Sequence, residues 1–213
     1  MLHKDPFIIT PETFKLNQQL QSIPELKEFY LAGKTALALQ LGHQNSIDID
    51  LFTRNNFEPD NIVNVLSGKF TFSSTLARKG TLLAVVNIIK TNFIRPDFEI
   101  LKPPITQEGI TFLSKENITA MKFHAIIQSG KRLKDFIDVY FLLEHYSLQQ
   151  MIDFFAATYK FMNPMIAVKA VNFFGDIDEK IDPLKMPKPL PLKKIVNRIQ
   201  EVTLKPGKTF KQD

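Results

Sequence analysis

The sequence predicts an α/β (α+β) fold, in which a small, mixed, twisted sheet is flanked by helices and followed by a helical C-terminal half. Three observations support this. Acidic and aliphatic residues alternate over 46–53, which indicates a strand. A turn at 78–80 interrupts the β-rich stretch 70–94, which indicates a hairpin. Beyond residue 114, apolar residues recur at helical spacing. We expect the strand at 46–53 to be central, with the hairpin beside it.

Local signals define the other elements. Thr10 and Pro11 supply an N-cap and a first-turn proline for the first helix. Gly42 ends an Ala- and Leu-rich helix, and Ser114 begins the first C-terminal helix as its cap. In chain order, the predicted elements are helices over 10–30 and 35–41, a strand over 46–53, a helix over 61–66, strands over 70–77 and 81–94, and helices over 114–129, 133–145, 148–161, 167–174 and 192–202.

Prolines indicate the domain boundary. Pro96, Pro103 and Pro104 interrupt the chain after the β-rich stretch. We therefore expect a core over residues 1–104 and a helical part over 105–213 that packs on it. A second group of prolines predicts a stiff connector before the last helix, at Pro183, Pro187, Pro189 and Pro191.

Composition restricts the function classes. The 213 residues are 44% hydrophobic and 23% charged, as in an ordinary globular protein. There is no cysteine, which excludes disulfides and thiolate metal sites. We find neither a signal peptide nor an apolar run of membrane-spanning length, so we expect a cytoplasmic protein without a membrane partner. The net charge of +5 favours nucleotide or nucleic-acid partners, although the lysines of the last segment are typical of a solvated basic tail.

The stretch LAGKTALALQLGHQNSIDIDLF over 31–52 contains Gly-Lys-Thr but is not a P-loop. That motif needs another glycine five residues before the Gly-Lys pair, and Glu28 occupies this position. A second Gly-Lys-Thr, over 207–209, has Val202 five residues before its glycine, so it is not a P-loop either. We interpret the stretch instead as a strand, a glycine-led helix, a turn and a second strand. At such a helix start, Gly33 allows close approach of a phosphate to the first free amides.

The second strand carries two acidic residues. Asp48 and Asp50 share one face, whereas Ile47, Ile49 and Leu51 share the other. Two carboxylates placed in this way repel each other unless a cation lies between them. Oxygen ligands of this kind suit Mg²⁺ that is bridged to a triphosphate. Alone, however, Asp-x-Asp on a strand is more often a solvated face.

Taken together, these residues resemble a known family. The DNA polymerase β-like nucleotidyltransferases share a similar pattern. In it, a glycine and a small residue are followed, about a dozen positions later, by Asp-x-Asp. The fuller string is similar to that of the AbiEii/AbiGii toxin family. The usual form in that family is Gly-Gly-Thr-Ala-Leu, then Gly-His-Arg, then Ser-x-Asp-hydrophobic-Asp. A second matching block, KFHAIIQSGKRLKDFIDVYFLL, covers 122–143. The resemblance extends over nearly the whole chain.

The resemblance implies a polymerase β-like fold and Mg²⁺-dependent transfer of a nucleoside monophosphate from a nucleoside triphosphate. The acceptor would be an RNA (such as tRNA) or a protein, and the chain would be the toxin of a bacterial toxin–antitoxin pair with a cognate antitoxin. The implied nucleotide-binding residues are Gly33, Lys34, Thr35, His43, Ser46 and Lys122; the implied metal ligands are Asp48, Asp50 and Asn92; the implied catalytic residues are Asp48, Asp50, Lys122, Asp135 and Asp138.

Structural alternatives exist for the second block. A lone lysine on an apolar helix, such as Lys122, usually extends its ammonium to solvent. Asp135 and Asp138 lie on one helix face, where Lys131 and Lys134 could pair with them at four-residue spacing. In the catalytic interpretation, one of these aspartates is either a base for the incoming hydroxyl or a water-bridged metal contact, and the sequence does not distinguish the two.

Three departures from the family pattern support a second hypothesis. Lys34 replaces a small residue, Gln44 replaces an arginine, and Asn92 occupies the place of the third metal carboxylate. An asparagine oxygen can bind Mg²⁺ but adds no charge. The alternative is therefore a catalytically impaired family member that acts as a nucleotide- or partner-binding module. A third possibility is an RNA binder that uses the basic tail.

Overall fold

The computed structural model describes residues 1–180, 186 and 190–211. The chain divides into two compact units, of which the first contains Met1–Asp97 and Pro103–Ser114, and the second contains Phe98–Lys102 and Lys115–Asp213. The domain division at residues 104 and 105 stays a prediction. Of the predicted proline connector, residues 183, 187 and 189 lie outside the described residues.

The first unit contains a seven-stranded mixed sheet with helices, which confirms the predicted fold class. Its elements are α1 (Pro11–Gln21), β1 (Tyr30–Leu31), α2 (Gly33–Leu41), β2 (Ile49–Phe52), α3 (Pro59–Ser67), β3 (Phe72–Arg78), β4 (Thr81–Val86), β5 (Ile89–Ile94), β6 (Ile105–Gln107) and β7 (Ile110–Phe112). The second unit is helical in its described part, with α4 (Lys115–Gln128), α5 (Leu133–Leu142), α6 (Leu148–Thr158), α7 (Pro164–Val171) and α8 (Leu192–Leu204).

The Asp-x-Asp segment leads into the middle of the sheet. The strand order is β3-β4-β5-β2-β1-β7-β6, so β2 is central and β5 lies beside it, as predicted. β2 runs antiparallel to β1 and parallel to β5, and Asp50 is in register with Asn92. The apolar residues Ile49, Leu51 and Phe93 are fully buried. Burial of these residues stabilises the centre of the sheet and fixes the register of the polar residues between them.

Two features of the sheet were not predicted. The stretch 81–94 is two strands, because the chain turns at Asn87 and Ile88 with φ of 49° and 68°. Residues 105–112 form the hairpin β6–β7, which joins the sheet through parallel pairing of Leu31 with Phe112. The first turn contains no glycine or proline, whereas Gly109 in the second turn was an available hairpin signal that was not used.

Two predicted elements were too long. The first helix ends at Gln21 rather than at Tyr30, and a short 3-10 helix starts at Pro24. Proline has no N–H to donate and restricts the residue before it, so α1 cannot continue through this point. The central strand starts at Ile49 rather than at Ser46, because the Ser46 amide donates to the Ile8 carbonyl at 2.8 Å instead of to a neighbouring strand. Asp48 is therefore the last residue before β2.

Capping determines the ends of α1 and α2. The Thr10 side chain accepts a hydrogen bond from the Thr13 amide at 3.2 Å, which confirms the predicted N-cap. Gly42 ends α2 with a φ of 66°, and its amide donates to the Ala38 carbonyl at 2.8 Å. The loop that leads to Asp48 begins after this glycine.

In the second unit, a buried arginine connects three segments. The Arg198 guanidinium carbon of α8 lies 3.5 Å from the ring centroid of Tyr140 and 4.5 Å from that of Phe210. Its Nη1 forms an ion pair with Glu144 at 2.8 Å. These contacts attach α8 and the C-terminal segment to α5. Over the described ranges, none of the helices combines the length and the apolar character that a membrane span requires.

Replacement of Gly42 by alanine should destabilise the fold. A Cβ there would lie 2.5 Å from Nδ1 of the His3 ring, and the positive φ disfavours any side chain. We expect the free energy of unfolding to fall by about 1–2 kcal/mol in urea denaturation. Gly207→Ala is the matched control, since nothing lies within 4 Å of its added Cβ. Equal stability of the two variants would contradict the left-handed cap.

Candidate active site

The first candidate site lies on β2 and β5. Asn92 Nδ2 donates a hydrogen bond to Asp50 Oδ1 at 2.8 Å. Asp48 and Asp50 are partly exposed, whereas Ile49 between them is buried. Ile49 and Leu51 are buried as the predicted alternation requires, but Ile47 is 51% exposed and so does not share their buried face. A common face for Asp48 and Asp50 stays a prediction. The structure brings Asp50 and Asn92 together, with Asp48 two residues before Asp50.

Asn92 carries a buried polar atom that the fold leaves unpaired. Only 8% of the residue is exposed, and its Oδ1 has no hydrogen-bond partner. A buried oxygen without a donor or a cation costs about 1–3 kcal/mol. Such a residue, beside an aspartate and oriented by it, has the chemistry of a hard-cation ligand. The Asp50 carboxylate and the Asn92 oxygen therefore have the chemistry that suits a magnesium ion, and the predicted role of Asp48, Asp50 and Asn92 as its ligands stays a prediction.

The donor set differs from a full carboxylate triad. Within the described ranges, no group of three His, Cys, Asp or Glu residues is placed to hold a metal ion. The third donor at this site would be the neutral amide of Asn92. The site consequently carries one negative charge fewer than a triad, and a lower affinity for divalent cations follows.

The start of α2 lies directly against Asp50. A Cβ at Gly33 would be 3.1 Å from Asp50 Oδ2, and Gly33 has a φ of 64°. The Ala32 amide also donates to the Asp50 carbonyl at 2.8 Å. Only glycine combines this backbone angle with this close approach. The first amides of α2, which attract anions, are thereby held beside the carboxylate that would bind the cation.

Thr35 and Ser46 connect α2 to the loop before β2. Their hydroxyl oxygens lie 2.6 Å apart, and both side chains are buried. The Thr35 hydroxyl also donates to the backbone carbonyl of Asp48. These bonds fix the backbone of Asp48 relative to α2, so the structure shows a positioning role for Thr35 and Ser46. Direct contact of either hydroxyl with a nucleotide stays a prediction.

The other predicted nucleotide-binding residues of the first unit occupy two environments. Lys34 lies partly exposed in the first turn of α2. His43 and Gln44 are both buried, and Gln44 Nε2 lies 3.2 Å from His43 Nε2. Gln44 thus packs inside the unit, where it contacts the histidine. A nucleotide contact by Lys34 or His43 stays a prediction.

The second candidate site lies in the second unit. Lys122 Nζ of α4 is 2.9 Å from Asp135 Oδ1 and 2.5 Å from Asp138 Oδ2, both of α5. The structural alternative, in which Lys122 extends to solvent, is wrong, because its side chain is only 10% exposed; contact of Lys122 with a triphosphate stays a prediction. The aliphatic neighbours of Lys122 on α4 are buried with it, and the two carboxylates compensate for the loss of water.

Arg132 completes this cluster and was not identified from the sequence. Its Nε lies 2.9 Å from Asp135 Oδ2 across one helical turn. The i,i+3 spacing of Arg132 and Asp135 was the available signal. The structural alternative paired the two aspartates with Lys131 and Lys134, at four-residue spacing, and did not include an arginine.

Lys122 is a fixed cation. Burial lowers the pKa of its ammonium, but attraction to Asp138 and Asp135 outweighs burial, so the pKa is raised above its ordinary value. A raised folded-state pKa means that these ion pairs contribute fully below the unfolded pKa of lysine, about 10.4, and weaken only as the pH rises through the folded value. At neutral pH, Lys122 therefore serves as a positive charge and not as a base.

Lys122→Met should destabilise the second unit strongly, because it leaves two buried carboxylates without their shared cation. We expect a loss of about 3–5 kcal/mol in the free energy of unfolding at pH 7. Urea denaturation at pH 7 measures this. The control Lys131→Met, at an exposed position, should change stability by no more than about 0.5 kcal/mol; an equally small effect at Lys122 would contradict the ion-pair assignment.

Comparison with known proteins identifies a family for this chain. The family model described as nucleotidyl transferase AbiEii toxin, type IV toxin–antitoxin system, matches residues 84–206. An uncharacterized protein of Aquifex aeolicus strain VF5 is 29% identical over 170 residues, which are 77% of this chain and 82% of the relative.

Two crystal structures show the same fold. One is described as a candidate nucleotidyltransferase from H. pylori; it is 16% identical, covers 91% of this chain and 94% of its own, and has a TM-score of 0.59. The other is JHP933 from Helicobacter pylori, also 16% identical, with 91% and 89% covered and a TM-score of 0.55. Because the family model matches more than half of the chain, this protein belongs to the AbiEii nucleotidyltransferase toxin family.

Proposed function

We propose that this protein transfers a nucleoside monophosphate from a nucleoside triphosphate to a hydroxyl of an RNA, such as tRNA, or of a protein. It would act with Mg²⁺ as the toxin of a bacterial toxin–antitoxin pair that includes a cognate antitoxin. The observation that carries the proposal is the arrangement in the first unit, where Asp50 lies between the unpaired oxygen of Asn92 and the start of α2.

In this proposal, the first amides of α2, from Gly33 to Thr35, bind the phosphates. Asp48, Asp50 and the Asn92 oxygen hold Mg²⁺, which when bound would offset the negative charge of the triphosphate. The acceptor oxygen forms a bond to the α-phosphorus while the bond to the β-phosphate oxygen breaks, so that pyrophosphate leaves and the hydroxyl proton is released. Thr35 and Ser46 act through Asp48, whose backbone they fix.

The second cluster enters the proposal through the family resemblance. Lys122 supplies a permanent positive charge, and Asp135 and Asp138 determine where that charge lies. Both carboxylates already lie against cations, Asp135 against Lys122 and Arg132 and Asp138 against Lys122. We therefore favour a positioning role for both aspartates over a role as the base for the incoming hydroxyl.

A transfer assay tests the proposal. Labelled nucleoside triphosphates and Mg²⁺ are incubated with the protein and either total RNA or lysate protein, and labelled acceptor is measured. We expect labelled product with the wild type, and a loss of about 100-fold or more with Asp48→Asn or Asp50→Asn. Asp60→Asn, at an exposed position of α3, is the matched control and should keep full activity. Transfer that survives both site variants would overturn the assignment.

A second candidate function is nucleotide binding without turnover. The Asn92 amide donates a hydrogen bond to Asp50. Because a carboxylate at position 92 would add a negative charge that the amide lacks, this observation favours binding without turnover. Calorimetry separates the two functions. Mg²⁺-dependent binding of a triphosphate, together with no labelled product on any acceptor, would favour the binding module.

Asn92→Asp should strengthen Mg²⁺ binding and increase any transferase activity. In the metal-free protein, the new carboxylate would face Asp50 across the present 2.8 Å hydrogen bond, so repulsion should lower the melting temperature. Mg²⁺ should restore it, because binding to the folded state stabilises that state. Thermal melts with and without Mg²⁺ measure both effects.

The matched control for this substitution is Asn64→Asp, which adds the same charge at an exposed position of α3 and should not respond to Mg²⁺. An Asn92→Asp variant that melts like the wild type under both conditions would show that residue 92 is not a metal ligand.

A further inference from the structure

The turn between β4 and β5 contains an apolar residue in an unfavourable conformation. Asn87 and Ile88 have φ of 49° and 68°, as in a type I′ turn, in which asparagine followed by glycine is preferred. A β-branched residue with positive φ is an outlier. Ile88 is also 92% exposed. Folding of the first unit therefore gains little from this side chain, although its conformation is costly.

A groove lies beside the exposed isoleucine. It has a volume of about 610 Å³ and separates the turn from α1. Its apolar lining comes from Ile88 itself, from Ile89 of β5 and from Leu16 of α1, of which only 2% is exposed. An exposed apolar side chain and a partly apolar groove thus lie next to each other on one surface of the first unit. Two copies of such a surface can pair about a two-fold axis.

The charges along the groove are self-complementary too. Glu12 and Lys15 line the groove from α1, and both are exposed. Residues three apart in a helix lie on one face. If two α1 helices pack antiparallel about a two-fold axis between these positions, each Glu12 faces the Lys15 of the other copy. A partner surface with charges of only one sign would instead repel either Glu12 or Lys15.

We propose that α1 and the β4–β5 turn form a homodimer interface, in which Ile88 of each copy inserts into the groove of the other. Isologous contacts of this kind close the assembly at two copies. The proposal concerns association only and does not depend on nucleotidyl transfer.

Sedimentation velocity over a range of concentrations tests the proposal. We expect a reversible monomer–dimer equilibrium for the wild type. Ile88→Gly removes the projection and suits a positive φ, so it should weaken dimerisation by about 10-fold or more and raise the melting temperature at concentrations where both proteins are monomeric. The gain in melting temperature distinguishes a lost interface from a damaged fold.

A charge exchange on α1 tests the orientation. Glu12→Lys and Lys15→Glu should each weaken dimerisation, because each places like charges opposite one another. The double exchange should restore it to within about 3-fold of wild type. Glu25→Lys, at an exposed position outside the groove, is the matched control and should leave dimerisation unchanged.

Three results would overturn the proposal. The first is a wild type that stays monomeric up to about 1 mM, where even a weak interface associates. The second is a dimer that Ile88→Gly leaves intact. The third is a double exchange that dimerises no better than the single variants.

Discussion

The parallel pairing of β2 with β5 is the constraint on which the first candidate site depends. It sets Asp50 in register with Asn92, although 42 positions separate them in the chain. The register is strongly specified, because a slip of one residue would turn Ile49, Leu51 and Phe93 out of the core. The same burial that stabilises the sheet thus determines which polar side chains meet. The hydrogen bond from the Ala32 amide to Asp50 then places the start of α2 against this pair.

The two charged clusters satisfy their electrostatics in opposite ways. In the second unit, the lysine and its carboxylates neutralise one another within the protein, and Arg132 adds a further cation. In the first unit, Asp50 accepts a hydrogen bond from the amide of Asn92, whose oxygen has no hydrogen-bond partner. The first arrangement already holds cations beside its carboxylates. The second has chemistry that an added cation would complete.

Sequence patterns predicted the parts of this protein that local rules determine. The Thr10 cap, the end of α2 at Gly42 and the central position of the Asp-x-Asp strand all follow from residue type and periodicity. The ion pair of Lys122 with Asp135 and Asp138 did not follow, because it depends on how α4 packs on α5. Ser46 was predicted to begin the strand but lies in the loop before it. Its hydrogen bonds to Ile8 and Thr35 are tertiary contacts, which the alternation of residues along the chain does not indicate.

The bond from Thr35 to the backbone of Asp48 has a thermodynamic consequence. It joins the first turn of α2, where a phosphate would bind, to the residue that would hold a cation. A ligand that orders the first turn of α2 also restricts Asp48, so a second ligand at Asp48 costs the protein less conformational entropy. Linkage is reciprocal, so any factor by which a nucleotide tightens cation binding must equal the factor by which the cation tightens nucleotide binding. If both ligands bind as proposed, this short connection between a helix and a loop would couple their affinities.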